Sequence, residues 1–186
     1  DHSVVFIEWP EILKSILPIT ENDIEESITA LENTQKIINS KNLTKTNTSL
    51  LLSQQIPDIP LIYYPHGLQA AAIRFKSSLQ ENAKSHAITE DVIESCHNGI
   101  VAWEKSSPLQ PILIQGYDDY FKTKERWKIL KIFFDKNGIK YHDVYSINGN
   151  ILSKLINLIY RLDYTTIYRA ISCKIDPSTI NSIVFV

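Results

Sequence analysis

Methionine is missing altogether from these 186 residues, cysteine appears only at Cys96 and Cys173, and glycine only five times. Two cysteines without metal-ligand spacing rule out a disulfide scaffold and a cysteine-based metal site, and they suit a reducing cytoplasm. No apolar run reaches the roughly 18 residues that a membrane-spanning helix needs. The opening stretch "DHSVVFIEWPE" is acidic and broken by Pro10, unlike a signal peptide. An excess of positive charge is lacking as well: 19 Lys and Arg face 21 Asp and Glu, for a net charge of −2. That balance leaves no electrostatic footprint for nucleic acid or an anionic membrane, and points to a small molecule or a protein as partner. Scarce Gly and Met beside abundant Ile, Lys and Asn reads as genomic base bias and carries no functional information. The absent initiator Met suggests a processed product or a piece of a longer chain.

At this length one domain with some helical elaboration is expected, with a single good core. Ile24, Ile28, Leu31 and Ile38 recur close to a helical period between Thr20 and about Asn39, and Thr20 with Asp23 three residues on resembles a capping box. The polar run "SKNLTKTNTS" breaks that helix, and a second one is predicted over about 47–55, before Pro57. The first 57 residues therefore read as helices and connectors. Beyond them the pattern changes. Leu61 to Tyr64, "PILIQG" at 111–116 and "IKYHDVYS" at 139–146 read as buried strands. Helices are predicted after each, over Leu68 to about Ser85, about Thr123 to Asn137, and about Asn150 to Ser172. Strand and helix in alternation imply an α/β fold, a three-layer sandwich with a parallel sheet flanked by helices, preceded by the connecting helices. Ligands of such sheets collect beyond the strand ends, so the loops at 65–67, 116–120 and 146–149 should share one rim.

The candidate chemistry lies in "SLQENAKSHAITEDVIESCHNGIVAWEK", where the pair His97-Asn98 follows Glu81 by sixteen residues. Taken alone, His97 reads as a capping or buried histidine and Glu81 as a solvated residue on a helix face. Their company is what raises them: Asn82, Lys84, Asn98 and Trp103 make a polar neighbourhood and not a charge run. A carboxylate and an imidazole are what an aldose-ketose isomerisation needs, the imidazole to open the sugar ring and the carboxylate to carry a proton between C2 and C1. Other features keep plain readings. His66-Gly67 is a strand-to-helix turn, "FKTKERWK" at 121–128 is a solvated helix start with Trp127 turned to the core, "DDY" at 118–120 has no metal-ligand spacing, and Cys96 is a small buried residue.

Arg74, Lys76, Glu81, Asn82 and Lys84 in "AAAIRFKSSLQENAKSHA", and Glu94, His97, Asn98, Ile100 and Trp103 in "VIESCHNGIVAW", fall in the order and spacing of a known pattern. The pattern is Arg-x-Lys, Asn-Glu-Asn-x-Lys, then Pro-Glu-Leu-Asn-His-Asn-Glu-Ile before Gly-Trp. With the ending "LDYTTIYRAISCKIDPSTINSI", the chain from about residue 58 onward resembles the bifunctional phosphoglucose/phosphomannose isomerases, a branch of the sugar isomerase (SIS) superfamily. The resemblance implies residues 1–57 as a helical connector and 58–186 as a C-terminal SIS-like α/β domain. It implies Glu81 as the proton-transfer base and His97 as the ring-opening histidine, acting on glucose 6-phosphate, mannose 6-phosphate or both to give fructose 6-phosphate. It further implies a sugar phosphate as ligand, no metal or organic cofactor, a cytoplasmic homodimer with its site at the interface, and no nucleic acid or membrane partner.

The departures from the pattern are specific. Ile93 stands for its Pro, Ser95-Cys96 for its Leu-Asn, and Gly99 for its Glu after His-Asn. The Ser-Gly-x-Thr type of phosphate loop, which the family carries on an N-terminal SIS domain, is not in this sequence, and "SIVFV" stops at or just before the place of the family's C-terminal lysine. The chain is therefore expected to be the C-terminal part of a two-domain isomerase, with little activity in isolation. The competing expectation is a catalytically silent SIS-fold module that binds a sugar phosphate or a protein partner.

Overall fold

A computed structural model describes residues 18–179. Two sequence readings, the acidic opening stretch and the "SIVFV" ending, lie outside these residues. Helix α1 (Glu21–Ile38) begins with the expected capping box: the Thr20 hydroxyl accepts from Asp23 N at 3.2 Å, and Asp23 Oδ2 accepts from Thr20 N at 2.8 Å. Two otherwise orphaned N–H groups are thereby satisfied, which stabilises a helix by about 1 kcal/mol. Helix α2 (Thr48–Gln55) is capped by Asn47, whose Oδ1 accepts from Leu50 N at 2.9 Å.

Strand β1 (Pro60–Tyr64) is followed by α3 (Gln69–Asn82), β2 (Ile88–Asp91), the single turn α4 (Val92–Ser95) and a 3-10 helix (Gly99–Glu104). Then come β3 (Gln110–Gln115), α5 (Phe121–Lys136), β4 (His142–Tyr145) and α6 (Ile151–Ser172). All pairings in the sheet are parallel, in the order β2-β1-β3-β4. Strands β1, β3 and β4 overlap the apolar runs picked out from sequence. Strand β2 does not. "ITED" carries two acids, lies at the sheet edge and pairs only with β1, so it has no apolar run to betray it.

Alternation along the inner strands divides the core into two layers. Ile62, Tyr64, Ile112, Ile114 and Val144 face α2, α3 and α6, whereas Leu61, Tyr63 and Leu113 face Trp103 and α5, with Trp127, Leu130 and Phe134. This is the expected three-layer sandwich. Helix α6 also supports α1, through polar contacts: Ser27 and Ser153 share a hydrogen bond of 3.0 Å, Asn157 Nδ2 donates to Thr34 Oγ1 at 2.6 Å, and Tyr168 OH donates to Ile38 O at 2.7 Å. Such bonds fix the register of two helices more tightly than apolar packing does, because a shift along the axis would leave buried polar atoms unpaired. No described helix is long and apolar enough to cross a membrane.

Candidate active site

The chain leaves β1 and β3 on opposite faces of the sheet, α3 on one and α5 on the other, so a crevice opens between the loops that follow these two strands. The predicted rim is there. Ser146 N donates to Gln115 O at 2.8 Å, Tyr117 N donates to Ser146 Oγ at 3.0 Å, and Lys154 of α6 pairs with Asp118. Asp119 folds back on the same loop, accepting from Gly116 N at 2.9 Å and Trp127 Nε1 at 3.1 Å. Burial pushes its carboxyl above the ordinary range, and those two hydrogen bonds pull the other way.

His97 belongs to this side of the sheet. Asp91 ends β2 and caps α4 by accepting from Ile93 N at 2.7 Å, and one turn later His97 N donates to Glu94 O at 2.9 Å. The imidazole is exposed and makes no hydrogen bond to any described residue. Beneath it the turn is anchored by Trp103, whose Nε1 donates to the buried Tyr63 hydroxyl at 3.0 Å and whose ring meets Phe134 edge-on at 5.5 Å. Burial pushes the Tyr63 phenol far above its usual value, so it stays neutral and keeps its role as acceptor. Cys96 is half-buried, and its thiol is pushed up first by that burial, with Arg126 opposing.

Glu81 lies elsewhere. It occupies the last turn of α3, beside the edge where the strands begin, exposed and with its carboxylate free of hydrogen bonds or ion pairs to described residues. Its neighbours do structural work. Arg74, Ser78 and Asn82, four residues apart on one helix face, tie α3 to α6: the Arg74 guanidinium meets Asp163 at 3.1 Å, Ser78 Oγ donates to Asp163 Oδ1 at 2.6 Å, and Asn82 Nδ2 donates to Thr166 Oγ1 at 2.8 Å. Two members of the sequence pattern, Arg74 and Asn82, thus hold the scaffold under Glu81.

One chain does not bring Glu81 and His97 together. Strand β2 runs between them, and the three steps along its four residues, at about 3.3 Å each, amount to roughly 10 Å. Two contacts were not foreseen from sequence: Glu90 packs over Gly99 beside His97, and Lys84, already singled out in the pattern, bonds both Glu81 O and the Thr179 carbonyl. The Gly at position 99 was a signal for the first; for the second the pattern marked Lys84 but not its partner, 95 residues away. A hollow of about 580 Å³, lined in part by Trp103, Lys105, Gln110 and Gly138, contains neither Glu81 nor His97. Among the described residues no group of three His, Cys, Asp or Glu side chains is placed to hold a metal ion.

Comparison with known proteins agrees with this architecture. A family model described as the bacterial phospho-glucose isomerase C-terminal SIS domain matches residues 45–186. A bifunctional phosphoglucose/phosphomannose isomerase of Caldicellulosiruptor bescii is 27% identical over 173 residues, covering 88% of this chain and 50% of that protein. Among solved structures, a glucose-6-phosphate isomerase like protein from Thermus thermophilus superposes with a TM-score of 0.71 at 19% identity, over 88% of this chain and 56% of that one. A glucosamine-6-phosphate deaminase from Thermotoga maritima shares the fold with a TM-score of 0.59 at 10% identity, over 94% of this chain and 52% of that one. The chain spans about half the length of these relatives.

Proposed function

We propose, from the premise that the chain belongs to the bacterial phospho-glucose isomerase C-terminal SIS domain family, that it is the C-terminal part of a sugar-phosphate aldose-ketose isomerase. Its substrates are glucose 6-phosphate, mannose 6-phosphate or both, and its product is fructose 6-phosphate. His97 moves the proton between the ring oxygen and the O1 hydroxyl, which opens the pyranose and frees the C1 aldehyde. Glu81 then takes the proton from C2, leaving an enediolate; the O2 hydroxyl proton passes to O1, and Glu81 returns its proton to C1 as the carbonyl forms at C2. Every proton removed is given back, so no cofactor is consumed. Both epimers are served by one carboxylate if rotation of the open chain presents the C2 proton from the same side.

The observation that carries this reading is the state of the two side chains. Glu81 and His97 are exposed, free of partners among the described residues, and at opposite ends of the strands of one sheet. An acid and a base left uncommitted in this way suit a site closed by a second copy of the chain, with the carboxylate of one and the imidazole of the other meeting at the interface. The same reading takes the protein as a cytoplasmic homodimer, with residues 1–57 as the connector from a first domain that binds the substrate phosphate, and 58–186 as the SIS domain.

The test is fructose 6-phosphate formation from each aldose by the 186-residue chain, alone and joined to its upstream coding sequence, with Glu81→Gln as control. Turnover in the joined protein that is lost in the control supports the isomerase. Its absence there leaves a silent SIS module that binds a sugar phosphate or a protein.

A further inference from the structure

Helix α3 ends on a residue poorly suited to the backbone it adopts. Lys84 has φ of 52°, in the left-handed region where a Cβ crowds the neighbouring carbonyl and where glycine is the usual helix stop. The side chain does what glycine could not. Its Nζ donates to the Glu81 carbonyl at 2.6 Å, one of the last-turn carbonyls that a helix leaves without a partner, and also to the Thr179 carbonyl. Thr179 is 95 residues further along the chain.

The segment that Lys84 reaches is itself shaped to meet it. After α6 the chain doubles back, with Ile175 N donating to Ala170 O at 2.8 Å and the Ile175 side chain packed against the core. Asp176 then accepts from Ser178 N at 2.9 Å and Ser178 Oγ at 2.7 Å, turning the Thr179 carbonyl toward α3. Those bonds, with the Lys84 charge adding to them, hold the Asp176 carboxyl below its ordinary value, so the turn keeps its anion beside the ammonium.

We propose that Lys84 is a positioning residue for Glu81: its ammonium clamps the chain leaving α6 against the last turn of α3, so that the backbone beneath the carboxylate cannot fray. The clamp's catalytic importance rests on Glu81 being the proton carrier proposed above; the clamp itself does not. Terminal helical turns open readily, whereas proton transfer between two carbons demands a carboxylate held to a fraction of an ångström. A glycine at position 84 would relieve the backbone and release the clamp.

Three variants decide it, read by {1H}-15N heteronuclear NOE at Ser178 and Thr179, by thermal midpoint, and by kcat and KM for fructose 6-phosphate formation in the chain joined to its upstream sequence. Lys84→Gly is expected to leave the midpoint unchanged or higher, to lower the NOE at both residues, and to lower kcat about tenfold with KM within about twofold. Lys84→Ala should lose the NOE and kcat similarly but with a lower midpoint, since the strained backbone remains. Lys84→Arg should restore most of the NOE and of kcat. An unchanged NOE in Lys84→Gly overturns the clamp. A lowered NOE with unchanged kcat overturns the positioning role. If the unmodified protein turns over neither aldose, the isomerase reading falls, and with it the catalytic part of this proposal, while the NOE alone still decides the clamp.

Discussion

The carboxylate of Glu90 lies flat across Gly99, its Oε1 only 2.5 Å from where a Cβ at position 99 would stand. Strand β2 and the turn that presents His97 are in contact there because residue 99 has no side chain. Gly99→Ala must push the carboxylate aside. The far end of a flexible side chain gives way cheaply, so a loss of about 1 kcal/mol is expected in urea unfolding. In a Glu90→Ala background the loss should largely disappear, and a double-mutant cycle with no coupling between the two sites would contradict the contact.

The same carboxyl sets a pH dependence. Burial raises the Glu90 pKa, and the nearby Glu94 raises it further. The folded state therefore holds the proton more firmly than the unfolded chain does. Its contribution to stability is fully present below the unfolded pKa and is lost as the pH rises through the folded one. Glu90→Gln, which stays neutral, should be more stable than the parent at pH 7 and should converge with it in acid. A variant less stable at every pH would show that the carboxylate has a structural role instead.

Tyr63→Phe removes the acceptor of the Trp103 indole N–H and nothing else of size. Tyr63 is fully buried and Trp103 nearly so, so water cannot replace the 3.0 Å bond. A loss of about 1–3 kcal/mol is expected, that of an orphaned buried donor. Trp103 fluorescence should report the change directly, and an unaltered midpoint would mean that the indole had found another partner.

Asn47 is the most heavily used polar side chain at the junction of α1, α2 and α6. Fully buried, it caps Leu50 N and donates to Ile38 O, Asn42 O and Tyr168 OH. Asn47→Ala loses a cap, at about 1 kcal/mol, and leaves buried acceptors with fewer donors. About 2–3 kcal/mol is expected in total, seen as a lower denaturant midpoint with an unchanged slope.

Placement of Glu81 and His97 at opposite ends of the strands makes a prediction about mixtures. If the site proposed above is shared between two copies of the chain, Glu81→Gln and His97→Ala proteins, each inactive alone, should regain activity when unfolded together and refolded, because one of the two sites in a mixed dimer then carries both native groups. About a quarter of native activity is expected from random pairing. No recovery, in a mixture shown to exchange subunits, would overturn the shared site.

Much of the fold is legible along the chain. The helical period of Ile24, Ile28 and Leu31, the runs from Leu61 to Tyr64 and Ile112 to Ile114, and the cap at Thr20 are each set by neighbours within a turn or a strand. Short-range pattern fails where burial is one-sided, as in β2, whose acids are tolerated because an edge strand needs only one hydrogen-bonded neighbour. The α1–α6 interface was hidden for a related reason: Ser27, Asn157 and Tyr168 look like surface residues until their partners, more than a hundred residues away, are in place.

The sequence by itself determined the class of fold and the candidate groups, because hydrophobic period and the spacing around Glu81 and His97 are properties of a linear string. Tertiary structure alone decided that these two side chains lie at different ends of the strands, that Glu90 needs the space Gly99 leaves open, and that Lys84 ties α3 to the chain leaving α6. Those are contacts between segments far apart in sequence or on different elements, and such contacts exist only once packing has fixed where each element lies.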